Sequence, residues 1–457
     1  MAEYLCQNIE KIGGNVNYPI TCAYTMALAA RLLGGERFAA KAKQLADFTV
    51  THITADGLLY GEGHPMTAVT PKNCRPVDLG YNAEESLPAL ILYAELTGDE
   101  DVGRAVLRTA REHLNFMLPD GGWDNSFGSR SYKWSWWGSR TSDGCLAGFA
   151  ALSRHDPVFA AAVQKNLELL NRCTHDGLLY GGPMYITAGE PACIHHTFCH
   201  AKSVAALVHD GWQLPAALPR LPSETAAGTR YYPTINTVRI AQGNWRTTVT
   251  GYDYEYLPGG HPTGGMVSLL WHAARGPVLA GSMDPYRQNE PNNMQMPRWQ
   301  FDICTTPRIE LRRDGKTYCS SNDLTALTVG KNETGAGGRL RTAAQDAAGR
   351  YDFAVSVMPG KVTVTGHSED ADARFILPVI SPEGENVEWQ DANTVRIGSG
   401  PAALTVQADR PLTLPPEYGT PVRFRRLFNP VGGFQSVVLT LPAEHPFTVT
   451  LKIGDKK

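Results

Sequence analysis

The segment TADGLLYGEGHP at 54–65 returns as THDGLLYGGPMY at 174–185, and a looser copy, LPDGGWDNSFG, lies at 118–128. Copies about 60 residues apart imply one structural unit repeated along the chain, and few folds accommodate that. Each copy follows a helical pattern: AAKAKQLADFTVTHI, GRAVLRTAREHLNFM and AAAVQKNLELLNRC. Each precedes another: GYNAEESLPALILYAELTG at 80–98, SRTSDGCLAGFAALSRH at 139–155 and CHAKSVAALVHDG at 199–211. An earlier helix, PITCAYTMALAARLLGG at 19–35, opens the series. Apolar residues recur at i, i+3, i+4 and i+7, which gives each helix one face to bury. Asp-Gly is expected to stop each helix and make a tight turn. Hairpins of this length stack into an open solenoid or a closed α/α toroid. Loops rich in Gly and aromatics recur at one end, which favours a toroid whose mouth they line. About four repeats are too few to close the ring. The expectation is an incomplete toroid, with an open cleft or a homo-oligomer that closes the gap.

The pattern changes after residue 212. Prolines and small residues in QLPAALPRLPSETAAGTR mark 213–230 as a linker between a toroid domain over 1–212 and a second domain over 231–457. Two domains suit 457 residues, since one core rarely grows past about 250–300. Beyond the linker the period is two: TINTVRIAQ, WRTTVTGY, MVSLLWHA, YDFAVSVM, KVTVTGH, ARFILPVI and SVVLTL stand between Gly, Pro, Asn and Asp turns. Short strands without intervening helices imply an antiparallel β-sandwich. The fold class is therefore multidomain α+β.

Composition excludes partners more than it names them. A formal net charge of -3 with 19% charged residues gives no electrostatic case for nucleic acid or an anionic membrane. No run of about 18 apolar residues occurs, so no membrane span is expected. MAEYLCQNIEKIGG lacks a basic segment followed by an apolar one, so a cytoplasmic location is expected, or a secreted or periplasmic one if a leader has been removed. Nine scattered cysteines without a CxxC pair suit buried free thiols.

Four clusters carry chemistry. WDNSFGSRSYKWSWWGSRTSDG (123–144) mixes Trp123, Trp134, Trp136 and Trp137 with Asn125, Arg130, Lys133 and Arg140. Aromatic faces stack on sugar rings and guanidinium forks bind carboxylates; the alternative is a plug over the helical core. CIHHTFCHAKSVAAL (193–207) places His196 and His200 one helical turn apart, with His195 beside them. The spacing suits metal ligands or a general base, but the HExxH glutamate is absent. In TGYDYEYLPGGHPTGG (250–265), Tyr252, Tyr254 and Tyr256 share one face if the segment is a strand, with Asp253 and Glu255 on the other. GYNAEESL (80–87) starts a helix with Asn82, Glu84 and Glu85, either as capping groups or as half of a carboxylate pair across a cleft.

HPTGGMVSLLWHAARGPVLAGSMDPY (261–286) resembles the β-domain motif of the heparinase II/III-like lyases: His261 in a turn, the strand MVSLLWH, a turn at Gly276-Pro277, VLAG and Tyr286. Gly264 or Gly265 stands where that family carries an aspartate, and no metal or cofactor is expected. His195-His196 stands where the family carries Asn-His at the start of a toroid helix. The resemblance implies cleavage next to a uronic acid by β-elimination. The carboxylate is neutralised, a base removes the C5 proton, and an acid protonates the leaving O4. Asn125, Arg140 and His195 then suit the carboxylate, and Tyr252 or His196 the base. Tyr252, Tyr254 or Tyr286 suits the acid, while Arg130, Trp137, Asn82 and Glu84 complete the substrate-binding set. Two alternatives stand beside this uronate-polysaccharide lyase. A hydrolase on the same toroid would need Glu84, Asp124 or Asp143, and a carbohydrate-binding protein would turn nothing over.

Overall fold

The computed structural model describes residues 1–187, 189, 191–284, 304–313, 315–324, 339–345, 350–382, 384–415 and 432–454. The chain divides into two units. The helical one comprises 1–69, 75–181 and 192–225, and the β one comprises 70–74, 182–191 and 226–457.

In the helical unit, α1 (Ala2–Ile12) precedes three hairpins and a last long helix. The hairpins are α2 (Asn17–Leu33) with α3 (Glu36–Val50), a composite helix with α6 (Glu100–His113), and α7 (Leu146–Leu152) with α8 (Val158–Arg172). The composite helix is α4 (Leu79–Tyr81), a π-helical turn (Asn82–Ser86) and α5 (Leu87–Thr97). The first helices of the hairpins pack side by side, α2 on α5, α5 on α7, and α7 on α9 (Ile194–His209). Helix α5 sits inside that row, and its residues Leu87–Ile91 are buried on every side, as a helix apolar all round must be. Local chemistry sets the ends. Asp99 caps α6 by accepting from Val102 N–H at 3.2 Å, with Glu100 and Asp101 in the first turn and Arg111 in the last.

The Asp-Gly repeats do not stop the helices. Helices α3 and α8 have already ended at Val50 and Arg172, and each Asp-Gly forms the tip of a miniature hairpin. Ile53 bridges Leu59, Met117 bridges Trp123, and β3 (Thr174–His175) pairs with β4 (Leu178–Leu179). The ladder requires a left-handed residue at its tip, and Gly121 (φ 89°) and Gly177 (φ 75°) provide it. The loop after Gly121 also carries a two-residue pair, β1 (Trp134–Ser135) with β2 (Gly138–Ser139). A short helix, α10 (Pro222–Thr225), lies within the proline-rich 213–230 segment.

The described strands of the β unit form three antiparallel sheets. A five-stranded meander runs β5 (Gly228–Tyr232), β6 (Thr237–Gln242), β7 (Trp245–Thr250), β8 (Met266–His272), β9 (Gly276–Ala280). The next strands in sequence are β10 (Arg308–Arg313), β11 (Lys316–Cys319), β12 (Arg339–Gln345), β13 (Arg350–Met358), β14 (Lys361–Ser368) and β15 (Arg374–Ile380). They are followed by β16 (Val387–Asp391), β17 (Thr394–Ile397), β18 (Leu404–Ala408), β19 (Ser436–Pro442) and β20 (Phe447–Ile453). Four of these strands align as β11-β10-β15-β19 and seven as β12-β13-β14-β20-β18-β17-β16. One apolar cluster draws on all three sheets, through Val238 and Ile240, Ile309 and Phe375, and Phe353 and Val449. Alternation sets the faces: along β20, Phe447, Val449 and Leu451 are buried while Thr448 and Thr450 between them are only partly so.

The nine cysteines are unpaired, and Cys22, Cys74, Cys145, Cys173, Cys193 and Cys304 are buried. Among the described residues, no helix is long and apolar enough to cross a membrane.

Candidate functional site

Two groups expected at the site belong to the β unit. Strand β7 ends at Thr250, so Tyr252, Tyr254 and Tyr256 lie on an irregular segment and the shared-face argument fails. Side chains capture this backbone instead of a neighbouring strand. Asp253 accepts from the Thr70 hydroxyl and, at 3.2 Å, from Lys72 N–H; Glu255 accepts from Gly259 N–H at 2.7 Å. His261 Nε2 lies 2.9 Å from the Tyr254 carbonyl. The Tyr252 ring is buried 5.1 Å from the His261 ring. Tyr286 lies outside the described residues.

In the helical unit the tryptophan loop is a plug. Trp123, Trp134, Trp136 and Trp137 are each 0–1% exposed, so no indole face is open to a sugar. Three of the four indole N–H groups and two carbonyls tie the loop together, while Trp123 Nε1 has no hydrogen-bond partner among the described residues. Trp134 Nε1 donates to Trp123 O at 2.8 Å, Trp136 Nε1 to Asp120 at 3.0 Å, and Trp137 Nε1 to Tyr180 O at 2.6 Å. Asn166 from α8 donates to the carbonyls of both Gly121 and Trp137, each at 3.1 Å. Buried aromatics need such partners, and the result is a rigid loop.

That loop aims its cations at Tyr81. Asp78 caps α4 by accepting from Tyr81 N–H at 2.9 Å, and its other oxygen accepts from Arg130 N–H at 2.8 Å. Asn125 fixes the same cap: it donates to Asp78 at 3.2 Å and accepts from Leu79 N–H at 3.1 Å. Both polar ends of Asn125 therefore have internal partners. The Arg130 guanidinium lies 4.0 Å over the Tyr81 ring, and Lys133 Nζ donates to the Tyr81 hydroxyl at 3.2 Å. Thr141 also bonds that hydroxyl. A cleft of about 500 Å³ opens here, with Asn17, Tyr81, Glu85, Arg130 and Thr141 on its polar side and Leu5, Ile9 and Ile12 on its apolar side.

Three carboxylates surround this centre. Glu62 Oε2 is 3.4 Å from Arg130 NH1, with the side chain fully enclosed. Burial outweighs that arginine, and repulsion from Asp78 and Glu85 adds to it, so the Glu62 carboxyl is pushed up to about 8. Burial also raises Glu85, against the hydrogen bond it accepts from Asn17 at 2.9 Å. The Tyr81 phenol is held well above its ordinary range by burial, which Arg130 only partly offsets. Both carboxylates stand on the π-helical turn, where Glu85 lines the cleft and Glu84 is fully buried. Glu84 accepts from Ser139 N–H at 2.7 Å and faces His200 Nε2 at 3.7 Å. A side chain at Gly138 would occupy the same space as the Glu84 carboxyl.

The other expected residues divide similarly. Asn82 is buried; it donates to Leu59 O at 2.7 Å and sits 3.1 Å from His113 Nε2, so it ties the helix to the first hairpin turn. Arg140 is buried and donates to Tyr132 O. His196 packs edge-on to Trp137, ring centroids 5.4 Å apart, and neither ring nitrogen has a hydrogen-bond partner among the described residues. Burial, then the charges of His200, Arg140 and His195, hold it well below the usual histidine range, so it is neutral. His195 is exposed, 3.7 Å from the Cys199 sulfur. Glu62 and Tyr81 were not among the expected site residues, and Glu85 was expected only as a capping group or as half of a carboxylate pair. One signal pointed to Glu62: DGLLYGEG carries a carboxylate where the second copy, DGLLYGGP, has a glycine.

Residues 1–224 match the family model for the ulvan lyase N-terminal domain and 229–454 that for the ulvan lyase C-terminal domain. A broad-specificity ulvan lyase of Formosa agariphila is 38% identical over 455 residues, covering 93% of this chain and 69% of that one. Among solved structures, a chondroitin AC lyase of Streptomyces coelicolor A3 is similar at a TM-score of 0.32 and 11% identity, over 96% of this chain and 75% of the other. A Paenibacillus xanthan lyase is similar at a TM-score of 0.33 and 11% identity, over 97% and 54%. Those two likenesses are too distant to argue from, and the sequence match decides against the hydrolase and the turnover-free binding protein. The chain belongs to the ulvan lyase family and is a polysaccharide lyase, breaking a glycosidic bond next to a uronic acid by β-elimination.

Proposed function

We propose that the substrate is ulvan or a closely related uronate polysaccharide, with the reacting uronate seated in the cleft at Tyr81. The observation that carries this reading is the pair of cations on one phenol, Arg130 over the ring and Lys133 on the hydroxyl. Arg130 is the cleft's guanidinium and takes the uronate carboxylate. Neutralising that charge acidifies the C5 proton, and donors fixed in advance stabilise the enolate-like intermediate. The Tyr81 phenol, protonated at neutral pH, donates to O4 as it leaves, and Lys133 holds the resulting phenolate. His196 is the proposed base, supported by its neutral state and its uncommitted ring nitrogens. Tyr252 is the other base that the sequence supplies, with Tyr254 beside it. Asn82, Glu84, Asn125, Trp137 and Arg140 are assigned to holding the loop and helix rather than to touching sugar, and the exposed His195 to the rim.

The row α2, α5, α7, α9 supports an incomplete α/α toroid over 1–212. In this proposal a linker over 213–230 joins it to a sandwich-type β domain over 231–457, remotely akin to the heparinase II/III-like β-domain. A homo-oligomer closing the gap belongs to the same proposal.

The test is the ultraviolet absorbance of the double bond that elimination conjugates to the carboxylate. Ulvan is compared with chondroitin and alginate, using wild type, Arg130→Ala, His196→Ala and Tyr252→Phe. The reading expects a rise on ulvan, a raised KM in Arg130→Ala, and loss of kcat in His196→Ala but not in Tyr252→Phe. A rise on alginate alone, or an unchanged Arg130→Ala, refutes it.

A further inference from the structure

Glu62 is fully buried and, among the described residues, has one cation in contact. It is 0% exposed, its Oε2 lies 3.4 Å from Arg130 NH1, and its Oε1 has no hydrogen-bond partner among the described residues. Its backbone is fixed, since Gly61 and Glu62 N–H both donate to Pro76 O, at 2.7 and 3.0 Å. The groups facing it are Arg130 from the tryptophan loop, Asp78 and Tyr81 from α4 and its cap, and Glu85 from the π-helical turn. The segment 15–17, held by the 3.0 Å bond from Val16 N–H to Gly61 O, adds only uncharged asparagines. Arg130 therefore has acidic neighbours on its inner side before any substrate arrives.

We infer that Glu62 is a positioning residue for Arg130: ionised Glu62 competes with the substrate carboxylate for the guanidinium, and a uronate binds only as Glu62 takes a proton from solvent. This rests on the reading that Arg130 receives the uronate. A second anion on Arg130 would otherwise leave two carboxylates sharing one cation out of water, an arrangement in which one must be neutral. The protonated carboxyl then keeps a hydrogen-bond donor beside the guanidinium without drawing its charge from the substrate. Asp78 is not the switch, because its two oxygens are committed to Tyr81, Arg130 and Asn125 N–H groups.

The experiment measures kcat and KM on ulvan from neutral pH to about pH 9.5, for wild type, Glu62→Gln and Arg130→Ala. Glu62→Gln is a permanent copy of the protonated carboxyl. In wild type, KM is expected to be flat below about pH 8 and to rise roughly tenfold per pH unit above it, with kcat moving less. Glu62→Gln is expected to abolish that rise. Calorimetric titration of wild type with oligosaccharides from its own digest, in two buffers of different ionisation enthalpy, keeps the test independent of folding of the variant. Uptake of close to one proton per site at about pH 9 is expected. If Arg130→Ala leaves KM unchanged, the underlying reading fails. If Arg130→Ala raises KM but the wild-type profile survives Glu62→Gln, or no proton is taken up, the inference about Glu62 alone is overturned.

Discussion

Replacing Gly121 by alanine should damage the protein far more than the same change at Gly177, although both glycines occupy the same place in the repeat. Both are left-handed, at φ 89° and 75°, and a β-carbon in that region costs about 1–2 kcal/mol. At Gly177 the cost stops there, since an added β-carbon meets nothing within 4 Å. At Gly121 it would be driven onto the backbone carbonyl of Lys165 in α8, which has no rotamer to move aside. Forcing α8 back adds about 1–3 kcal/mol, for a total of roughly 2–5 kcal/mol. At about 2–4 °C per kcal/mol, Gly177→Ala should lower the melting temperature by roughly 2–8 °C and Gly121→Ala by roughly 4–20 °C. The assay is thermal melting followed in the helical circular-dichroism band. Gly121 also begins the loop that carries Arg130 and Lys133, and its carbonyl is anchored by Asn166 at 3.1 Å. The mutant should therefore raise KM at temperatures where it is still folded, and Gly177→Ala should not. Equal melting losses, or a KM change only in Gly177→Ala, would refute the packing argument.

Other outcomes follow from the same contacts. Glu62 should make stability depend on pH: its folded carboxyl is raised from 4.5 to about 8, so its contribution is full below pH 4.5 and is lost as pH rises to 8. At about 1.4 kcal/mol per pH unit the loss is at most about 5 kcal/mol. Urea unfolding at several pH values should show Glu62→Gln gaining on wild type as pH rises, and a parallel pair of curves would count against a buried carboxyl. Trp137→Ala should cost about 3–5 kcal/mol in unfolding experiments, while digests by the surviving enzyme keep the wild-type product pattern; an altered pattern would return that indole to a sugar subsite. Gly138→Ala should displace the Glu84 carboxyl and lose activity with stability, and Glu84→Ala should restore part of the stability of the double mutant, which a simple loop effect would not.

Much of the helical unit was legible because its signals are local. The DGLLY copies, the apolar periodicity and Asp99 ahead of Glu100 and Asp101 each act within a few residues. The site was less so, because its chemistry is made by distant partners. Glu62 meets Arg130 across 68 residues, and Lys133 meets Tyr81 across 52. Tyr81 stands in a segment whose carboxylates drew attention, and the structure shows which of them, Glu85 rather than Glu84, lines the cleft. The tryptophans misled for a related reason: an indole that stacks on sugar and one that plugs a core look alike in sequence, and burial separates them. The tyrosine alternation at 252–256 assumed a strand continuing past Thr250, which Asp253 and Glu255 prevent by bonding back to nearby amides and the Thr70 hydroxyl.

The central claim is that the proton reaches the leaving oxygen from Tyr81. Tyr81→Phe keeps the ring under Arg130 and removes only the hydroxyl that Lys133 and Thr141 hold. Its rate of double-bond formation on ulvan should be compared with its affinity for product oligosaccharides measured by calorimetry. The account predicts a fall in kcat of about 100-fold or more with affinity within a few-fold of wild type. A variant that eliminates at the wild-type rate would contradict it and move the acid out of this cleft.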